Sequence, residues 1–109
     1  MTERLVVLCT VGSQEDADWI AGELVERRLA ACVNVVPGVV STYRWKGAVE
    51  KDGELLLVIK TRADRFEALR DAIVKMHPSE VPEILALSVA AGHPAYLAWL
   101  DDSVSEAGA

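Results

Sequence analysis

Positive charge is scarce: eleven Lys and Arg stand against seventeen Asp and Glu, a net charge of −6. General nucleic-acid binding draws its affinity from neutralised phosphates, so that class is excluded. Cysteine is scarcer still, with only Cys9 and Cys32 in 109 residues and no CxxC spacing. That excludes a disulfide framework, a tetrahedral zinc site and a thioredoxin-type redox centre. Long apolar runs are missing, and stretches such as Leu55–Ile59 are strand-sized, well short of the roughly 20 residues of a membrane span. The first residues place Glu3 beside Arg4 before a short apolar run, with no small-residue cleavage site. No secretory leader is expected, and the cytoplasm is the expected compartment.

Catalytic patterns are missing too. The loop Thr10-Val11-Gly12-Ser13 has no arginine, which the phosphate cradle of an acylphosphatase would need. No glycine-rich run offers backbone amides to an anion. No Ser/His/Asp or Cys/His pair stands at readable spacing, and no carboxylates are paired for acid–base work. The expectation is a protein that is not an enzyme.

Apolar residues make up 51% of the chain and charged residues 26%, the balance of one folded domain spanning residues 1–109. Leu5–Val11 is a nearly unbroken apolar run, read as a central strand buried on both faces. Ser13 with Asp16 has capping-box character and opens a helix with apolar Ala17, Ile20, Ala21, Leu24 and Val25, closing on Arg27 and Arg28 in its last turn. Residues 31–45 read as a long edge strand interrupted by Pro37-Gly38, where a bulge is expected. Lys46-Gly47 reverses it into a second long strand, 49–60. Thr61 with Asp64 is expected to cap a second helix whose apolar face is Phe66, Leu69, Ile73 and Met76. Pro78 stops that helix and pushes His77 toward extended backbone. A strand follows over 83–89, and Pro94 starts a terminal helix docked through Tyr96 and Trp99. Residues 103–109 are expected to fray.

The order β-α-β-β-α-β with a terminal helix predicts an α+β, ferredoxin-like (βαββαβ) antiparallel sheet. Its first and third strands lie side by side in the centre, with the fourth beside the first. Two helices cover one face. The other face and the long hairpin edges, with Tyr43 and Trp45, are expected to be covered by further copies of the chain.

Several segments together resemble one family, the CutA divalent-cation tolerance proteins. They are Ala30-Ala31-Cys32-Val33-Asn34, Ser41-x-Tyr43-x-Trp45-x-Gly47, Glu54 with Ile59-Lys60-Thr61, His77-Pro78 followed by Val81-Pro82-Glu83-Ile84, and Tyr96-Leu97-x-Trp99. The resemblance implies a ferredoxin-like subunit, a homotrimer, a cytoplasmic location and a link to copper and other divalent metals. It carries metal binding onto Cys9 and His77. Met76 stands where some copper-binding members have a second histidine.

The predicted strand order also brings the end of the first strand, with Cys9, toward His77 and Glu83. A Cys9/His77/Met76 set would offer soft donors suited to Cu(I), and Glu83 could add a carboxylate oxygen. Each has a plainer role: Cys9 and Met76 as core side chains, His77 as a helix-end residue, Glu83 as one side of an ion pair. Cys32 reads as core, and Arg62, Arg65 and Arg70 as a solvated face. The competing functional class is a trimeric small-ligand sensor of the PII type. The hairpin at Lys46-Gly47 is too short to be that sensor's mobile loop.

Overall fold

The computed structural model describes residues 3–105. Strands β1 (Arg4–Val11), β2 (Cys32–Trp45), β3 (Ala48–Arg62) and β4 (Leu85–Ser88) form one sheet in the order β2-β3-β1-β4. Every pairing is antiparallel, with Cys9 opposite Leu57 and Leu8 opposite both Val58 and Leu85. This is the ferredoxin-like arrangement expected. Helices α1 (Gln14–Glu26), α2 (Phe66–Met76) and α3 (Pro94–Val104) complete it.

The core lies between α1, α2 and one sheet face. Leu5, Val7, Cys9 and Val11 alternate inward along β1 and meet Leu57 and Ile59 of β3, Ile20 and Leu24 of α1, and Leu69 and Ile73 of α2. The intervening Val6, Leu8 and Thr10 are only half-buried. β1 is therefore buried on one face rather than two, because the helices cover one side of the sheet.

β2 and β3 build a long hairpin. At its tip Lys46 and Gly47 both have positive φ, 50° and 84°, as a two-residue type I′ turn demands. Pro37 and Gly38 together face one residue of β3, since Val36 pairs with Leu56 and Val39 with Glu54. That is the expected bulge, with Gly38 at φ 79°. A 14-residue strand spans roughly 45 Å, matching the long axis of a molecule measuring 45 × 25 × 22 Å.

Several boundaries differ from expectation. α1 ends at Glu26, and the two arginines form its exit instead of its last turn. Arg28 adopts φ 57°, with Arg28 N donating to Val25 O and Leu29 N to Leu24 O, a Schellman ending closed by buried Leu24 and Leu29. Thr61 caps nothing: β3 continues through Arg62, a 3-10 turn (Ala63–Arg65) intervenes, and the buried Thr61 hydroxyl donates to Leu29 O at 2.6 Å. Asp64 instead holds Arg62, whose guanidinium also lies near Asp101, so Arg62 belongs to a charge cluster and not to a solvated face. β4 is four residues long. α3 docks through Leu100 and Val104, while Trp99 and Tyr96 pair with tilted rings, centroids 5.4 Å apart, and stay exposed. Ser103 and Val104 therefore belong to α3 rather than to a frayed tail; residues 106–109 lie outside the described residues. Cys32 is half-exposed, not core.

Candidate functional site

Pro78 sets the geometry of the site. It bars helical backbone at the preceding residue, so His77 leaves α2 at φ −75°, ψ 132° while its amide still donates to Ile73 O. The imidazole is carried back over the end of β1. Ser79 N–H donates to His77 Nδ1 at 3.0 Å, and an amide can only donate. The ring proton therefore sits on Nε2, 2.7 Å from Thr10 O, and donates to it. His77 is 8% exposed and held at both nitrogens.

This side chain borders a groove of about 770 Å³. Thr10 of β1 lines it, the hairpin contributes Ser41, Thr42, Tyr43 and Trp45 from β2 and Glu54 from β3, and the segment from Ser79 to Glu83 completes the lining. Among the described residues, three carboxylates, Glu54, Glu80 and Glu83, line it without any lysine or arginine. The Tyr43 hydroxyl donates to Asp52, and that bond holds the phenol up at about 12.

Of the four metal-ligand candidates, His77 and Glu83 meet at this groove. Cys9 and Met76 do not line it: Cys9 is fully buried in the core, and Met76 packs half-buried against the same cluster. Burial pushes the Cys9 thiol up to about 12, with the charges of Glu83 and Glu54 adding to the effect. Its Sγ lies 3.9 Å from Thr10 O. The Cys9 thiol and the His77 ring thus approach the same carbonyl, Thr10 O. Among the described residues, no three His, Cys, Asp or Glu side chains gather closely enough to hold a metal ion between them. Glu83 makes no ion pair among the described residues.

Glu80 and Thr10 carry no signal in the sequence that would place them here, and Ser79 is marked only as the residue standing where the resembled family usually has an aromatic after His-Pro. Glu54 stands out only as part of the motif series. It reaches the groove because the Pro37-Gly38 bulge sets its register with Val39.

Fold and groove together define a class: a ferredoxin-like α+β domain with an anionic, histidine-bordered cleft at the end of its central strand. The sequence matches the CutA1 divalent ion tolerance protein family over residues 5–103, and the chain belongs to that family. It is 53% identical to the divalent-cation tolerance protein CutA of Thermus thermophilus over 98 residues, covering 90% of this chain and 95% of that protein. A CutA homolog of Xenopus laevis is 51% identical over 87 residues, which cover 80% of this chain but only 58% of the frog protein. The solved structure of the Thermus thermophilus divalent cation tolerance protein superposes with a TM-score of 0.92 at 51% identity, covering 94% of this chain and 99% of that one.

Proposed function

We propose that this protein is a non-catalytic, self-associating binder of divalent cations, copper foremost, and that the groove beside His77 receives the ion as cargo. The carrying observation is the state of His77: its Nε2 proton is committed to Thr10 O, so Nδ1 is the nitrogen an ion would take, in exchange for the hydrogen bond it now accepts from the Ser79 amide. A carbonyl on the non-ligating nitrogen is the usual second-shell support of a metal-binding imidazole. The carboxylates of Glu83 and Glu54 lie along the same groove. Imidazole and carboxylate donors favour Cu(II) over the other first-row divalent ions.

Cys9 and Met76, the soft donors, take no part in this reading of the resting protein. A thiol must lose its proton to ligate, and at about 12 Cys9 keeps it near neutral pH. One chain offers too few close donors by itself. The coordination is completed by a neighbouring copy in a homotrimer, for which the free edges of β2 and β4 supply the contacts.

The test is a competition titration of Cu(II) against a chelator. His77→Ala is expected to weaken binding by roughly tenfold or more and Glu83→Gln by a few-fold, while Cys9→Ser leaves it unchanged. If His77→Ala and Glu83→Gln both bind as tightly as the unaltered chain, the groove is not the site. A loss confined to Cys9→Ser would move the ion into the core.

A further inference from the structure

We propose that the outer face of α1 docks a basic, helical segment of a partner protein, with Trp19 as its anchor. The inward face of this helix is spent on Ala17, Ile20 and Leu24. Trp19 lies on the opposite side and is 51% exposed. Among the described residues its ring takes part in neither the aromatic pairing nor the cation–π contact, which belong to Tyr96–Trp99 and Lys46–Trp45.

The surroundings of that ring are of one sign. From Gln14 to Glu26 the helix carries five acidic residues and no basic one. Glu15 and Glu23 stand one turn to either side of Trp19, and Glu26 lies two turns on. Glu15–Asp18 and Glu23–Glu26 are like-charge pairs at i,i+3, an arrangement that weakens a helix by itself. No ion pair relieves them among the described residues. A cation laid across this face would remove that repulsion. Gly22, three residues after Trp19, has open space where a side chain would stand, so a shallow notch lies beside the indole.

Charge decides the occupant. A second copy meeting α1 through the same face would bring the same five carboxylates, and a nucleic acid or an anionic membrane would bring phosphates, so each is repelled. A partner helix with Arg or Lys at successive turns fits. Its guanidinium stacks on the indole between Glu15 and Glu23, and its apolar stripe enters the notch at Gly22.

The probe is a fluorescently labelled amphipathic helical peptide of Leu, Ala, Lys and Arg, followed by anisotropy against the full chain at low salt. Binding is expected, and it weakens as salt rises to about 0.3 M. Trp19→Ala weakens it roughly fivefold, and the double change Glu15→Lys with Glu23→Lys by about tenfold or more. Glu54→Gln with Glu83→Gln leaves it unchanged, which separates α1 from the groove. The proposal is overturned if no binding occurs at low salt, if the peptide is indifferent to both α1 variants, or if the groove variant abolishes binding. It is equally overturned if Trp19→Ala lowers the sedimentation coefficient of the free protein, because the occupant would then be a second copy.

Discussion

Two buried residues show how much a single side chain settles here. The Thr61 hydroxyl donates to Leu29 O in a fully buried setting, joining the end of β3 to the exit of α1. Thr61→Val keeps the shape but leaves that carbonyl unpartnered, and is expected to cost about 1–3 kcal/mol in denaturant unfolding. Cys9 is the second case. Its thiol is raised to about 12, above the ordinary thiol value of about 8.5. The proton therefore stays on in the folded state over a range where the unfolded chain has lost it. The stabilisation this represents is complete below about pH 8.5 and is lost as pH rises toward 12. Thermal unfolding should show an alkaline decline that Cys9→Ala flattens. At pH 8 a thiol reagent should modify half-exposed Cys32 and spare Cys9 until the protein unfolds. Equal labelling of both would place Cys9 outside the core.

Elements in this protein are tied together by charge at their ends. Arg4 of β1 donates from Nε and Nη2 to the two carboxylate oxygens of Asp101 on α3, at 3.0 and 2.6 Å. The guanidinium holds Asp101 below the usual carboxylate range, and Arg62 does the same for Asp64. A lowered carboxylate stabilises the fold above its unfolded value, about 3.9, and the benefit fades as pH falls through the lower folded value. Asp101→Asn is expected to loosen α3 at neutral pH and to flatten the acid limb of the stability profile; hydrogen exchange at Leu100 and Val104 reads the first effect. An unchanged acid limb would mean that other carboxylates dominate it.

Local signals placed these elements well where the determinants are neighbours in sequence. Ser13 does cap α1, its Oγ accepting from Asp16 N at 3.1 Å, and Lys46-Gly47 does make the tight turn. They failed where a distant partner intervened. Thr61 resembles a cap but is claimed by Leu29 O, 32 positions away. Val104 reads as tail but is buried with Ala31 and Leu100. Arg28 holds a left-handed backbone usually given to glycine, and its side chain reaches Ser103 O at 3.3 Å while its own carbonyl accepts from Arg65. No window of the sequence contains both members of such pairs.

At the scale of the molecule, exposed apolar surface gathers at the sheet edges. Val36, Val40, Tyr43, Trp45 and Val49 stand out along the hairpin, and Val81, Leu85 and Leu87 along and beside β4. β4 is four residues long with every residue exposed, and among the described residues its outer edge has no partner strand. Patches of this kind mark interfaces. Trp45→Ala is expected to shift the assembly toward smaller species at dilute concentration in sedimentation velocity, while the groove variant Glu83→Gln leaves assembly intact. An unchanged distribution for Trp45→Ala would remove the hairpin tip from the interface.

By itself the sequence determined the strand and helix order, the turn, the bulge and the single-sided core of α1 and α2, because alternation, capping and glycine conformations act over a few residues. It also brought Cys9, His77, Met76 and Glu83 into one neighbourhood through the expected pairing of the first and fourth strands. Only the tertiary structure decided how they divide: His77 and Glu83 on the groove, Cys9 and Met76 in the core. Cys9 takes the side of β1 that α1 and α2 cover, whereas Pro78 turns His77 out of α2 toward Thr10 O at the groove.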